Sequence, residues 1–134
     1  MATITEDYCS YEIAKLLKEK GFDGLCYCHE FTDYEGNFTI YYTEYPENWN
    51  QSEPCMSIPT LGMAMKWLRE VHNIGIFPST YTITNSKGSK EEHVYGSAIV
   101  NLITFDLMCD DIIPRNSYEQ AAESAIKYSL ENLI

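Results

Sequence analysis

The sequence predicts a two-layer α+β domain in which three helices cover a four-stranded, mainly antiparallel sheet, in the order α-β-β-α-β-β-α. Three observations carry that expectation. A helix-opening phrase is written twice, as Ser10-Tyr11-Glu12-Ile13-Ala14 and as Ser117-Tyr118-Glu119-Gln120-Ala121. A third apolar stripe at helical spacing lies between them, and the intervening stretches alternate with the two-residue period of strands. Each helix is apolar along one side only, so the helices are expected on one face of the sheet rather than on both. At 134 residues the chain has the length of one domain and is expected to form one over 1–134.

The first helix is read over 10–20, with Ile13, Ala14, Leu16 and Leu17 on its apolar side, Ser10 as N-cap and Gly21 as a left-handed stop. Leu25, Tyr27, His29 and Phe31 then alternate with Cys26, Cys28 and Glu30. After the turn Asp33-Tyr34-Glu35-Gly36-Asn37, a second run carries Phe38, Ile40 and Tyr42, which makes a β-hairpin. With Phe38, Ile40 and Tyr42 towards the helices, Thr39, Tyr41, Thr43 and Tyr45 fall on an open face, joined there by Cys26, Cys28 and Glu30. Pro46, Asn48, Asn50 and Pro54 mark a long loop.

From Thr60 to Asn73, Leu61, Ala64, Met65, Leu68 and Val71 or His72 trace a helical face, with Trp67 beside it and Gly62, Lys66, Arg69 and Glu70 outside. Ile74, Ile76 and Phe77 open a third strand that resumes at Tyr81 and Ile83. A turn is expected at Ser86-Lys87-Gly88-Ser89, and a fourth strand from Val94 to Leu107. Ser117 and Gln120 form a capping box for the last helix, whose stripe is Ala122, Ala125, Ile126, Ser129, Leu130 and Leu133.

Charge excludes some functions. Twenty acidic against nine basic side chains give a formal net of -11, the wrong sign for a surface that binds nucleic acid by releasing counterions. The imbalance is concentrated: residues 21–65 hold Asp23, Glu30, Asp33, Glu35, Glu44, Glu47 and Glu53 and no Lys or Arg. Such a region either keeps the protein soluble or faces a basic partner. No leader-like segment and no apolar run of membrane-spanning length is present, and the five cysteines at 9, 26, 28, 55 and 109 suit reduced thiols. A cytoplasmic protein without structural disulfides is the expectation.

Three blocks, SYEIAKLLKEKGFD (10–23), PTLGMAMKWLREVHNIGI (59–76) and SYEQAAESAIKYSLENLI (117–134), resemble small uncharacterised proteins of gut Bacteroides-type bacteria and of their phages and mobile elements. Gly62 departs from that pattern, where a longer side chain is usual. The resemblance implies a phage or mobile-element accessory protein and supplies no catalytic residue.

Chemical motifs are sparse. Cys26 and Cys28 point one way along a strand and His29 the other, and no Cys-x-x-Cys or His-x-x-x-His spacing exists, so no metal site is expected. Neither a cysteine with His72 or His93 nor the pairs Asp110-Asp111 and Glu91-Glu92 have a catalytic context. Glycine-rich phosphate loops are absent, and no cofactor is expected. The expected function is a non-enzymatic protein-interaction module, self-associating in one version, that engages a host or phage protein through Tyr41, Tyr45, Trp49, Glu30 and Glu44. One alternative is a small-ligand binder that sequesters a signalling nucleotide, using Lys66, Arg69, Lys87, Lys90 or Arg115 from two subunits. The other, ranked last, is a Cys/His-dependent enzyme.

Overall fold

The computed structural model describes residues 6–84 and 91–134, apart from the side chains of 83, 91–92 and 110–114. The turn at 86–89, Lys87, Lys90 and the side chains of Glu91, Glu92, Asp110 and Asp111 therefore lie outside the described residues. The elements are α1 (Tyr11–Glu19), β1 (Cys26–Thr32), β2 (Phe38–Glu47), a 3-10 turn (Trp49–Gln51), β3 (Cys55–Ser57), α2 (Leu61–His72), β4 (Ile74–Thr84), β5 (Glu91–Asn101), β6 (Leu107–Arg115) and α3 (Tyr118–Asn132). The α+β class and the three helices hold. The single four-stranded sheet does not: two three-stranded antiparallel sheets form, in the orders β2-β1-β3 and β4-β5-β6.

Both copies of the repeated phrase start helices in the same way. Ser10 Oγ accepts from the Ile13 N–H at 3.4 Å and Ser117 Oγ from the Gln120 N–H at 3.1 Å. The Gln120 side chain reaches past the cap to the Asn116 N–H, at 3.0 Å. The two helices lie side by side and run the same way. The Ser10 N–H donates to Glu123 at 2.9 Å, Lys127 pairs with Glu12 at 2.8 Å, and Lys20 Nζ donates to the Ile134 carbonyl at 3.1 Å. Gly21, at φ 89°, ends α1 in the left-handed region.

The main core joins α1, α2 and α3 to β4 and β5 through Ile13, Leu17, Leu61, Trp67, Leu68, Ile74, Ile99, Ile126 and Leu130. Complete burial of such side chains contributes about 1.5–3 kcal/mol each. Ala121, Ala122 and Ala125 let α3 approach the second sheet closely, where Ser97 Oγ donates to the Ala121 carbonyl at 2.9 Å. In α2, Trp67 is core, while Val71 is 56% exposed, so the buried face is turned towards Trp67 from the predicted one. The first sheet is tied to this core by Cys26 and Trp49, and to α1 by a smaller cluster of Ala14, Cys28, Met56 and Ile58.

Register corrects the predicted faces of the hairpin. Cys28 pairs with Tyr42, Glu30 with Ile40 and His29 with Tyr41. Opposed residues in a ladder share a face, so Cys28 and Glu30 lie with Phe38, Ile40 and Tyr42, not with Tyr41. Between Cys26 and Cys28 the register shifts, and β2 carries the extra residues; the Thr43 hydroxyl stands 3.0 Å from the Tyr27 carbonyl and 2.9 Å from that of Tyr45.

Candidate functional site

The face of the first sheet that carries Glu30 holds a pocket of about 570 Å³. Its floor is β1, with Cys28, Glu30 and Thr32. Phe38, Ile40 and Tyr42 of β2 form one wall, and Tyr8, Cys9, Tyr11 and Ile58 form the other. The second wall is held by backbone bonds. The Cys9 N–H donates to the Pro59 carbonyl and the Leu61 N–H to the Asp7 carbonyl, both at 2.9 Å, and Tyr8 bridges to Thr60. Tyr8 and Tyr42 meet edge to face, with ring centroids 5.7 Å apart.

Glu30 is 3% exposed because it sits on the central strand, flanked by Ile40 on β2 and Met56 on β3. The Thr32 hydroxyl donates to its Oε1. Among the described residues no Lys, Arg or His lines the pocket. Around this carboxyl group the aromatic walls present the negative faces of their rings. An anion is disfavoured in such a place and an organic cation is favoured.

Burial acts on three other polar groups of the pocket, Tyr8, Cys28 and Cys9. Burial raises the Tyr8 phenol, with smaller contributions from Cys28 and Tyr42. Burial also raises the Cys28 thiol, opposed by its hydrogen bond with Tyr42, and pushes Cys9 up to about 12. Cys26, beneath the first sheet, is pushed up to about 11 by the same cause. These shifts run against an activated thiolate.

The structure separates the five residues expected to form an interface. Glu30 is inside the pocket. Tyr41 lies on the opposite face, where His29 stacks on it at 5.4 Å and on Trp49 at 3.8 Å. Trp49 is partly buried: its Nε1 donates to the Cys26 carbonyl at 2.9 Å and its ring packs against the core. Tyr45, 75% exposed, and Glu44 lie on the outer surface near the register shift. Sequence reasoning missed Tyr8, Tyr11, Phe38 and Tyr42 as pocket residues. The alternation of Phe38, Ile40 and Tyr42 was the available signal, but it read as a core face.

The cations considered for a nucleotide do not converge in the described part of the structure. Lys66 lies 4.0 Å from Glu70 on α2, and Arg115 donates to Ser124 Oγ at 2.7 Å beside α3. His72 packs edge to face on Trp67, and His93 stands 3.3 Å from the Thr82 hydroxyl. Among the described residues no three His, Cys, Asp or Glu side chains gather as a metal set, and no helix is long and apolar enough to cross a membrane. Comparison with known proteins gives no matching family model, no matching curated protein and no matching solved structure.

Proposed function

We propose that this chain is a protein-interaction module that receives a cationic, partly apolar group of its partner in the Glu30 pocket. The observation that carries the reading is the buried carboxylate enclosed by Tyr8, Tyr11, Phe38 and Tyr42 with no basic side chain among the lining residues. The surrounding acidity agrees with it, since 21–65 supply acids without a basic residue, and Lys18 of α1 pairs with Glu53 at 2.7 Å. A basic partner would be steered to this side and would dissociate faster as salt rises. The resemblance of the three blocks to small proteins of phages and mobile elements favours a host or phage protein as the partner.

A second reading, a receptor for a free small organic cation, is favoured by the volume of about 570 Å³, which is within the range of small-molecule sites. The nucleotide version of a small-ligand binder, which calls on cations from two subunits, is a different site from this pocket, whose described lining holds no phosphate-binding cation. Titration with n-butylammonium and tetramethylammonium chloride, followed by heteronuclear NMR against a sodium chloride control, tests the cation chemistry common to both readings. Saturable shifts at Glu30, Tyr8 and Tyr42 that vanish in Glu30→Gln are expected. Shifts indistinguishable from the sodium control would overturn the reading.

A further inference from the structure

The strand that walls the Glu30 pocket is also an open sheet edge. In the order β2-β1-β3, β2 has a partner on one side only among the described residues, and Phe38, Tyr41 and Tyr42 along it are exposed. Edge strands of this kind are usually shielded by lysine, proline or a covering segment. Over Phe38–Tyr42 no Lys or Pro is present, and Pro46 lies within the register shift beyond Tyr42.

The hairpin turn shows which backbone groups are free. The Asp33 N–H donates to the Asn37 carbonyl at 2.9 Å and the Gly36 N–H to the Asp33 carbonyl at 3.1 Å, with Gly36 at φ 89°. This closing pair fixes the alternation of the ladder. Thr39 and Tyr41 turn their N–H and C=O groups to β1, while Phe38, Ile40 and Tyr42 turn theirs to the open edge. These same three residues place their side chains in the pocket wall.

We infer that the partner is an extended basic segment that adds as an antiparallel strand to β2 and lays a lysine or arginine across Ile40 onto Glu30. The inference rests on the cation reading of the pocket and adds the mode of binding to it. A residue set opposite Ile40 faces the pocket side of the sheet, two strand spacings or about 10 Å from the Glu30 backbone. A lysine or arginine stem crosses that gap while burying its methylenes on Ile40 and Tyr42, which a shorter polar side chain does not do. Main-chain bonds then supply affinity and the pocket supplies side-chain choice. A second copy of this chain is the poorer occupant. Antiparallel pairing of two β2 strands sets Asp33 and Glu35 of one against Glu44 and Glu47 of the other, and each chain carries a net charge of -11. Antiparallel addition is favoured over parallel because every strand pair here is antiparallel.

The test uses the full chain and the fluorescent pentapeptide acetyl-Val-Thr-Lys-Thr-Val-amide, in two N-methylated forms and against n-butylammonium. With lysine opposite Ile40, its amide N–H meets the open edge and the threonine amides point away. Methylating the lysine amide is expected to weaken binding at least about ten-fold, and methylating a threonine amide to leave it unchanged. On the protein side, Ile40→Pro removes an edge donor without touching the ladder to β1 and should weaken the parent peptide beyond the effect of Ile40→Ala. If butylammonium saturates but both methylated peptides bind like the parent, strand addition is rejected and the pocket reading stands. If neither butylammonium nor the peptide binds, the pocket reading itself falls.

Discussion

Replacing Trp49 with Phe separates a structural tryptophan from a contact tryptophan. The indole N–H donates to the Cys26 carbonyl at 2.9 Å, beside a residue only 1% exposed, and the ring lies 3.8 Å from the His29 imidazole on the face away from Glu30. Phenylalanine retains a ring for the stack but leaves a buried carbonyl without that donor, a loss of about 1–3 kcal/mol, and gives up part of the apolar contact as well. Taking about 2 kcal/mol, the melting temperature of a chain this long falls by about 6–10 °C. Thermal unfolding by far-UV circular dichroism reads this without relying on the altered fluorophore. Titration with butylammonium should give the wild-type affinity, since the pocket is on the other side of the sheet. A melting temperature within about 2 °C of wild type, together with lost binding of the lysine peptide, would refute the placement of Trp49 as an anchor.

Three further outcomes follow from the same geometry. Gly62 lies in the exposed first turn of α2, and a methyl group there meets nothing closer than the Thr60 hydroxyl oxygen at 4.0 Å; Gly62→Ala should therefore stabilise by about 0.5–1 kcal/mol in urea unfolding, and a loss would mean that the position is strained. Burial lowers the His29 pKa below 6.5, with Glu47 opposing, so below that pH the unfolded chain binds a proton that the folded one resists; stability should fall as pH drops from 6.5 towards the folded value, and His29→Gln should flatten that limb. Native protein treated with a thiol reagent near neutral pH should react at Cys55 and Cys109 well before Cys9, Cys26 and Cys28, and fast modification of Cys28 would contradict its burial.

The helices were legible because their signals are local. Ser10, Thr60 and Ser117 each accept from the backbone N–H three residues on, and Gly21 and Asn73 close α1 and α2 in the left-handed region. The missed strands were hidden for two physical reasons. The turn between β5 and β6 has no glycine or proline; Asn101 Oδ1 makes it, by accepting from the Ile103 and Thr104 N–H groups at 2.9 and 3.2 Å, so Val94 to Leu107 read as one strand. The segment 48–57 is rich in turn residues, yet its asparagines and Ser57 bond inward. Asn50 Nδ2 donates to the Phe22 carbonyl at 3.0 Å, its Oδ1 accepts from the Ser57 N–H at 2.9 Å, and Ser57 Oγ accepts from the Trp49 N–H at 3.0 Å.

The pocket was partly legible for a related reason. Alternation tells which residues share a face but not what covers that face. Phe38, Ile40 and Tyr42 were expected beneath helices, and Glu30 was expected with Tyr41 on the open side. In the structure Ala14 of α1 packs on Cys28, Met56 and Ile58, and the apolar side of β2 is left as the wall of a pocket. Glu30 becomes interpretable once it is placed on that side. On an open face it would be one more solvated acid among the seven in 21–65, whereas beneath Tyr8 and Tyr42 its charge lacks a basic neighbour within the pocket wall. Glu30 is therefore the residue on which the proposed reading turns, and Glu30→Gln is the substitution that separates a role in binding from a role in holding the fold together.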